Sequence, residues 1–413
     1  MTPHGNTFKF GAGATYEEVD KRELDGATYG FTIDSLRAYR AFAPGGFAYA
    51  QGRWLFEGMV ANAGIRGEYF TPGPQAGAQS TPGVDHAIWS LSPRLGIAYP
   101  ISVRDVFSLS YVRIQEDPRR DLLYDSRHRI SNRQPLGNPA LVPATAISYQ
   151  AALKHLMPPQ LSLQAAVFFR DVWGLVGARN IQPAADVPIL RYDNADEAGV
   201  MGTEFTLVRE AGDDDRIEID YTWQVARGTY SREDGVPFGP LLLRRPESVG
   251  DHALDWDRRH TISLAGIWHV RGGVTVSWSG LVGSPLPWTP AQPRTDPADL
   301  SQENTRRLSW DETTNAAVRC ALPRTHGRLV VGLDVRNLFD HRSELAATLD
   351  GYPNPVINTR YDDYGAYRTE TGLGGGAYYG DANGDGHPGW VPVHDPRLLP
   401  PPRSVRLTLD LTW

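Results

Sequence analysis

Three oxygen-bearing side chains in one short run are the residues of this chain best suited to binding chemistry. Asp381, Asn383 and Asp385 occupy positions 1, 3 and 5 of the run, and a glycine occupies position 6. Oxygen ligands at this spacing, followed by a glycine that lets the chain turn tightly, begin a calcium loop of the EF-hand type. Position 12, which carries a bidentate Glu in that motif, is Pro392 here. The pattern therefore predicts either a calcium ion in the loop 381–395 or a solvated turn.

Catalytic patterns are missing from the sequence. Its 11 histidines are scattered and form neither an HExxH motif nor another paired metal spacing, and no GxSxG run is present. Cys320 is the single cysteine, so the chain has no intrachain disulfide and no zinc-thiolate cluster. We therefore expect that the protein is not an enzyme, that it has no catalytic or cofactor-binding residues, and that it requires no cofactor.

Composition limits the class of protein. Of the 413 residues, 41% are hydrophobic and 22% are charged, values typical of folded chains rather than disordered ones. The mean hydropathy is negative, and the chain has no apolar run of the roughly eighteen residues that a membrane helix needs. The net charge of −7 argues against nucleic acid as a partner. A β-barrel is compatible with these values, because every second residue of its strands is polar.

Strict alternation of apolar and polar residues predicts long β-strands. The last ten residues show it best, with apolar side chains at Val405, Leu407, Leu409, Leu411 and Trp413 and polar ones between them. A strand of this kind separates two different solvents. Runs of the same pattern predict about fourteen strands: Thr7–Glu17, Phe47–Phe56, Met59–Phe70, Leu91–Pro100, Asp105–Gln115, Ile147–Leu156, Leu161–Trp173, Gly199–Arg209, Arg216–Arg227, His260–Val270, Gly273–Val282, Thr314–Leu322, Arg328–Phe339 and Ser404–Trp413.

The connections between these runs alternate between short and long. Short ones such as Ser102–Arg104 and Arg271–Gly272 are separated by long ones such as Glu116–Ala146, Gly174–Ala198 and Asp340–Arg403. Short periplasmic turns and long extracellular loops give a transmembrane β-barrel this rhythm, and strands of about ten residues cross a bilayer at a tilt. Strands of a soluble sandwich are shorter, about five or six residues. The predicted fold class is all-β, a transmembrane antiparallel β-barrel with long extracellular loops.

Five segments resemble motifs of the C-terminal barrel of TonB-dependent outer-membrane receptors. They follow the family's order, and the resemblance extends over nearly the whole chain. The segments, with the motif that each resembles, are Phe47–Gln51 followed by Trp54 (AYxQDxW), Asn138–Tyr149 (NPxLxPExxxxYE), Asp257–Leu264 (DxRH), Ser284–Pro290 (SGxPYTP) and Val335–Asp340 (VxNLFD). The large loops and the Asp-Trp-Asp-Arg-Arg-His segment are similar to those of receptors that carry an N-terminal carboxypeptidase-regulatory-like domain.

The resemblance implies a function and a setting. Such receptors take up scarce, bulky ligands (siderophores, vitamins, glycans or peptides) across the bacterial cell outer membrane, and the TonB system relays energy to a plug inside a barrel of twenty-two strands. This chain shows fewer strands and no plug, TonB box or signal peptide. The interpretation is one outer-membrane barrel domain, 1–413, from the C-terminal part of a receptor (a fragment, a split gene or a misplaced start codon).

The same resemblance implies partners. Trp413 takes the place of the terminal aromatic residue that these proteins present to the barrel-assembly machinery. The other expected partners are outer-membrane lipid, the TonB system through the missing N-terminal plug, and an unknown small-molecule or peptide ligand. Basic stretches such as Arg119-Arg120 and Arg127–Arg133 lie in predicted extracellular loops, where they would contact anionic ligands or lipopolysaccharide phosphates, or remain solvated.

Two other functions fit the same sequence. A self-closing passive outer-membrane channel would pair Thr7–Glu17 with Ser404–Trp413, because that pairing would join the two ends of the sheet. A surface adhesion protein would depend on calcium in the loop 381–395 and would bind without taking up a solute. The genomic sequence upstream of Met1 would separate the receptor from the self-closing channel.

Overall fold

A computed structural model describes residues 5–26, 33–73, 75–76, 87–124, 135–181, 190–212, 215–229, 250–270, 272–288, 304, 306–322, 329–341, 378–380, 389–391 and 401–411. Strands dominate these ranges, and the one helix within them is α1 (Arg120–Leu123). No helix in the described part of the chain is long and apolar enough to span a membrane.

Twenty strands are formed by the described residues. In chain order they are β1 (Thr7–Gly26), β2 (Ile33–Phe56), β3 (Met59–Phe70), β4 (Gln75–Ala76), β5 (Ile88–Pro100), β6 (Asp105–Glu116), β7 (Ala144–Met157), β8 (Leu161–Asn180), β9 (Leu190–Ala211), β10 (Asp215–Gly228), β11 (His252–Ala253), β12 (His260–Val270), β13 (Val274–Gly283), β14 (Pro287–Trp288), β15 (Arg306–Arg307), β16 (Asp311–Ala321), β17 (Leu329–Arg336), β18 (Tyr378–Gly380), β19 (Gly389–Val391) and β20 (Ser404–Leu411).

The long strands form one antiparallel sheet in which each pairs with the next long strand of the chain. Within the described residues its order is β1-β2-β3-β5-β6-β7-β8-β9-β10-β12-β13-β16-β17-β20, with β4 beside β2 and β11 beside β10. The predicted all-β antiparallel fold with about fourteen long strands is confirmed. None of the described pairings joins β1 to β20, the pairing that a self-closing channel requires.

Strand register gives the sheet one apolar face and one polar face. Tyr221 of β10 lies opposite Phe205 of β9, and both side chains point to the face that we call outward. The next residue, Asp220, lies between Thr206 of β9 and Ser263 of β12 on the opposite face, which we call inward. Because successive side chains of a strand alternate, one register places most apolar positions of the long strands on the outward face and most polar ones on the inward face.

Aromatic side chains mark two levels on the outward face. Tyr69 and Trp89 pack with ring centroids 5.0 Å apart near the long-loop end, and Phe8 and Trp54 pack 5.5 Å apart near the short-turn end. On β5, Trp89 and Tyr99 are ten residues apart. At roughly 3.3 Å per residue and a tilt of about 40°, this separation spans about 25 Å, the height of the apolar band of outer-membrane barrels. The two levels are therefore the expected aromatic girdles.

Short connections lie together at one end of the sheet. Glu57 and Gly58 join β2 to β3 with φ angles of 46° and 84°, and positive φ at both central residues is the conformation of a type I′ hairpin turn. The turn between β5 and β6 is closed by a hydrogen bond of 2.9 Å from the Ile101 amide to the Asp105 carbonyl. Long connections consequently lie at the opposite end of the sheet, the end that is extracellular in outer-membrane barrels.

Two hairpins are longer than the sequence pattern predicts. In the first hairpin, β1 continues to Gly26 and β2 begins at Ile33. In the second, most of the segment predicted as the loop Gly174–Ala198 belongs to β8 and β9, in the half of the hairpin at the long-loop end. The apolar alternation ends at the girdle because both faces of these extensions are in water. On the outward face of the β1–β2 extension, Arg40 Nε donates to Glu18 Oε1 at 2.7 Å.

Candidate functional site

The inward face is a polar wall held together by hydrogen bonds between strands. Asp220 Oδ1 accepts a hydrogen bond of 2.7 Å from the Thr206 hydroxyl, and its Oδ2 accepts one of 3.3 Å from the Ser263 hydroxyl. These three side chains belong to three adjacent strands, β9, β10 and β12. A carboxylate satisfied in this way fixes strand register and keeps the wall hydrophilic.

A groove of about 820 Å³ runs along the inward face at the C-terminal end of the sheet. Its charged lining residues are Arg319, Arg336 and Arg406 together with Asp334 and Asp410. Asp334 lies directly opposite Arg406 in the register of β17 and β20, yet none of the ion pairs among the described residues includes any of the three arginines. The guanidinium groups of this wall are therefore available to an anionic group in the lumen.

A second inward groove, of about 410 Å³, lies at the other end of the sheet. Lys9, Arg53 and Arg94 contribute its charged side chains, and no carboxylate lines it. Gln51 and Asn62 add hydrogen-bonding groups. Both grooves present cations to the lumen, so the inner wall is suited to polar, anionic contents rather than to a hydrocarbon.

The connection between β6 and β7 folds inward over the mouth of the barrel. Leu122 and Leu123 of α1 and the adjacent Tyr124 are buried in one cluster with Phe70 and Tyr192. Phe70 lies on the inward face of β3, because it pairs with Gly45 in the register that also carries the polar inward residues of β2. The helix thus packs on the inner wall and narrows the opening.

Hydrogen bonds fasten this inward connection to both sides of the mouth. The Tyr124 hydroxyl donates to the Pro72 carbonyl at 2.6 Å, and the Asn138 side-chain amide donates to the Tyr192 carbonyl at 2.8 Å. The Asn138 backbone N–H donates to the Leu122 carbonyl at 2.9 Å. Between them Gly137 approaches Tyr124 so closely that a Cβ there would lie 2.3 Å from the tyrosine carbonyl group. The described part of this connection is a fixed element of the mouth.

Charged side chains meet below the helix. Arg120 Nε donates to Glu17 Oε2 at 2.9 Å, and its guanidinium lies 4.4 Å from the centroid of the Phe70 ring. Asp117 has water access but stands inside the concave mouth, surrounded by protein. This desolvation, and next the charge of Glu68, raises the pKa of the Asp117 carboxyl, against the opposing effect of Arg120.

Asp117→Asn is expected to stabilise the folded protein at neutral pH. Because the pKa of Asp117 is raised on folding, the stability that its protonated form contributes is present at low pH and is lost as pH rises through the folded-state pKa. Asparagine keeps the shape and removes that loss, so its advantage should shrink as pH falls towards the usual range of aspartate. Thermal melting of both proteins from acidic to neutral pH measures this difference.

The matched control for this substitution is Asp121→Asn in the same connection. Asp121 accepts a hydrogen bond of 2.7 Å from Arg119 Nη2 on the protein surface, whereas no ion pair among the described residues includes Asp117. We expect no gain in stability from the Asp121 variant at neutral pH. A neutral-pH melting temperature of the Asp117 variant equal to or below that of the unchanged protein would contradict the assignment.

Asp257 is a fully buried carboxylate just before β12. Its Oδ1 accepts the backbone N–H of Ala226 at 2.8 Å, and its Oδ2 accepts Arg259 Nε at 2.8 Å and Arg307 Nη2 at 2.5 Å. Arg307 comes from β15, in the connection between β13 and β16. The carboxylate therefore joins the beginning of β12 to β10 and to a different extracellular connection.

Asn337 has a corresponding role at the end of β17. Its backbone adopts a φ of 49°, and its side-chain amide donates to the carbonyls of His341 and Pro401 at 3.0 Å each. Its side-chain oxygen accepts the His341 backbone N–H at 2.9 Å. The chain leaving β17 is thereby tied to the segment that leads into β20. Asn138, Asp257 and Asn337 all belong to the segments that resemble receptor motifs, and each holds a strand end at the mouth.

The residues predicted to bind metal fall outside the described residues. Asp381, Asn383 and Asp385 lie in the undescribed part of the chain, so calcium in this loop stays a prediction. Trp413 is also outside it, although its strand β20 is described to Leu411. Within the described ranges, no three His, Cys, Asp or Glu side chains are arranged to hold a metal ion. Cys320 lies opposite Val331 on the outward, lipid-facing side.

Sequence reasoning missed the inward connection and the partner of Asp257. The Leu122–Leu123 pair beside Tyr124 is an apolar signal inside a predicted polar loop, and it could have indicated a buried segment. No local signal links Asp257 to Arg307, which lies fifty residues further along the chain. The contact between Asp257 and Arg307 forms because the two connections that carry these residues meet at the same end of the barrel.

Comparison with known proteins gives a consistent result. A family model described as TonB dependent receptor-like, beta-barrel, matches residues 2–338. No curated protein matches the chain. At the identities found, similarity to solved structures shows the fold alone, and the chain spans about half the length of those structures.

Three of the similar solved structures illustrate this. A mutant of the ferric enterobactin receptor PfeA from Pseudomonas aeruginosa, in complex with enterobactin, is 15% identical, with a TM-score of 0.63 over 100% of this chain and 52% of that chain. The ferric-catecholate import receptor Fiu from E. coli K12 is 14% identical, with a TM-score of 0.56 over 84% and 49% of the two chains. The FrpB iron transporter from Neisseria meningitidis is 12% identical, with a TM-score of 0.54 over 83% and 49%.

Proposed function

Because this chain belongs to the TonB-dependent receptor-like β-barrel family, we propose that it forms the wall and mouth of an outer-membrane receptor for energised uptake of a scarce, bulky ligand. The observation that carries the proposal is the family match over residues 2–338. Members of the family are transporters of the bacterial outer membrane that work with the TonB system. The ligand class remains that of the family: a siderophore, vitamin, glycan or peptide.

The inner wall favours an anionic chelate among these ligands. Two inward grooves carry Lys9, Arg53 and Arg94 at one end of the sheet, and Arg319 and Arg406 at the other, and no ion pair within the described ranges includes any of them. Guanidinium and ammonium groups in a confined lumen attract anions and orient them by charge-assisted hydrogen bonds. Three of the similar structures, a ferric enterobactin receptor, a ferric-catecholate import receptor and an iron transporter, agree with that class.

The test is uptake in matched strains. A strain that lacks the gene should grow more slowly than its parent when one nutrient (chelated iron, cobalamin or a single glycan) is limiting. Removing TonB, or collapsing the proton gradient, should give the same defect in the parent and add nothing in the deletion strain. Uptake that continues after the proton gradient has been collapsed would contradict the proposal.

Two alternatives predict different results. A passive channel would conduct steadily in a planar bilayer and support uptake without TonB. An adhesion protein would show calcium-dependent surface binding and no growth phenotype on any limiting nutrient. We also propose that 1–413 is one barrel domain, that it performs no catalysis, and that a calcium ion binds at Asp381, Asn383 and Asp385.

A further inference from the structure

The inward face of β1, β2, β3 and β5 changes in charge from the mouth towards the short turns. Near the mouth the arginines are neutralised by carboxylates: Arg120 Nε donates to Glu17 Oε2 at 2.9 Å, and Arg66 Nη2 lies 2.8 Å from Glu68 Oε1. Nearer the short turns lies the groove of about 410 Å³, which is lined by three cations and by no carboxylate. The positive charge of this part of the wall is therefore concentrated in the groove.

Strand register brings the three cations into two adjacent rows of inward side chains. One row, across β1, β2, β3 and β5, contains Lys9, Gln51, Gly64 and Arg94. Arg53 stands in the next row towards the short turns. Like charges at neighbouring positions of a sheet are destabilising. No ion pair within the described ranges includes any of the three cations, so the described part of the protein supplies no counter-charge.

Two glycines leave room for an occupant between the charged side chains. Gly64 of β3 and Gly96 of β5 both line the groove. A Cβ added at Gly96 would meet nothing closer than the Leu109 carbonyl oxygen, at 3.8 Å, so the space in front of this glycine is open. The amides of Gln51 and Asn62 add hydrogen-bond donors to the lining. The volume of the groove lies within the range of small-molecule sites, roughly 300–1,000 Å³.

The groove at the C-terminal end of the sheet differs because it carries its own carboxylates. Its arginines share the lining with Asp334 and Asp410. Carboxylates at this distance offset the positive potential and repel an incoming anion. The groove of β1, β2, β3 and β5 is therefore the stronger anion site of the two.

The side chains of the groove define the anion that fits it. Guanidinium groups form paired hydrogen bonds with the oxygens of a carboxylate or a phosphate, and a lysine ammonium adds a compact positive charge. An anion with a single negative charge would leave most of the repulsion among three cations uncompensated. An oxyanion with two or three negative charges balances them.

We propose that Lys9, Arg53 and Arg94 form a binding site for a multiply charged oxyanion, the phosphate or polycarboxylate part of a small molecule. The two glycines admit the anion, and Gln51 and Asn62 donate hydrogen bonds to it. The site lies in the short-turn half of the barrel, away from α1 and the mouth. It rests on the proposed function in one respect, that the inward face lines the lumen through which a ligand passes.

The test is calorimetric titration of the purified full chain in detergent with pyrophosphate, citrate and acetate. Pyrophosphate or citrate should bind at a single site per chain, and acetate should bind at least tenfold more weakly, about the ratio expected for loss of one charge-assisted contact. Arg94→Gln and Arg53→Gln should each weaken binding roughly tenfold for the same reason. Gly96→Leu, which fills the open space and keeps all three charges, should weaken binding to a similar extent.

Two matched variants control for overall charge and volume. Arg170→Gln removes an inward arginine of β8, opposite Ser148, that lines neither groove. Ala152→Leu enlarges an inward residue of β7 that also lines neither groove. Both should bind the anions as the unchanged protein does, and cold SDS gels should show all five variants folded.

Three results would overturn the assignment. Acetate bound as tightly as citrate and pyrophosphate would show that the groove does not select a multiply charged anion. Equal weakening by Arg94→Gln and Arg170→Gln would show a diffuse positive field in the lumen rather than a site. Absence of citrate and pyrophosphate binding to the folded protein would remove the site altogether.

The titration also separates this inference from the proposal of energised uptake. Binding to the purified protein needs neither TonB nor a proton gradient. Anion binding without energised uptake would keep the site and remove the transport proposal, and energised uptake without anion binding would do the reverse.

Discussion

Replacing Asp257 with alanine is expected to lower the free energy of unfolding of the barrel by about 3 kcal/mol. The carboxylate has no solvent access, and it balances Arg259 and Arg307 while it accepts the backbone N–H of Ala226. Its removal leaves two guanidinium groups and one buried N–H without their acceptor. The loss should fall at the lower end of the range for a broken buried ion pair, because both arginines keep about a third of their side chains exposed.

Urea titration of the protein in lipid vesicles measures this loss through the fraction that keeps its folded mobility on cold SDS gels. Asp251→Ala is the control, because Asp251 forms a 2.7 Å ion pair with Arg227 in the same connection but is 61% exposed. An exposed pair contributes about 0–1 kcal/mol. Equal, small effects of the two substitutions would show that Asp257 does not hold the rim together.

Leu95→Arg is expected to cost about 2–4 kcal/mol, the penalty for an arginine at mid-depth on the lipid face of a barrel. Leu95 is 53% exposed and lies between the two girdle residues of β5, four residues from Tyr99 and six from Trp89. Its neighbour Arg94 points inward, so this strand already carries an arginine at the same depth on the other face. The two positions differ in solvent and not in secondary structure.

Ser108→Arg is the matched control for this second prediction. Ser108 faces inward on β6 between Ala98 and Ala152, two small residues that leave room for a long side chain. Its replacement should change stability by about 0.5 kcal/mol or less. The same urea titration applies. If both arginine variants cost the same, the outward face does not contact lipid and the assignment of the two faces is wrong.

The sequence predicts the strands well wherever they cross the membrane. In the span of β10, apolar residues such as Ile219 and Tyr221 alternate with Asp220 and Thr222, because lipid and lumen impose opposite requirements on the two faces. The alternation does not predict the extension of β1 to Gly26, the beginning of β2 at Ile33, or the strands within Gly174–Ala198. These parts of the strands extend beyond the aromatic girdle at the long-loop end. There both faces contact water, and the physical cause of the alternation is absent.

Much of the candidate site could not be predicted from local sequence patterns. Asn138, Asp257 and Asn337 lie in segments whose resemblance to receptor motifs indicates the family, but the sequence does not show that each satisfies backbone groups of a distant strand end. The inward fold of α1 depends on the side chains of Phe70 and Tyr192, which come from different hairpins and are buried together with Leu122 and Leu123. Neither partner is adjacent in sequence.

The amino-acid sequence by itself determined the fold class, the strand order, the two faces and the family, because each follows from local alternation, connection length and short motifs. Tertiary structure alone decided which side chains meet: the cations of the two inward grooves, the buried ion pairs of Asp257, and the cluster that α1 forms with Phe70 and Tyr192. The physical reason is that the pairing of strands, and connections that meet at the same end of the barrel, bring together residues far apart in the chain. Burial then determines which of their charges are paired and which remain available to a ligand.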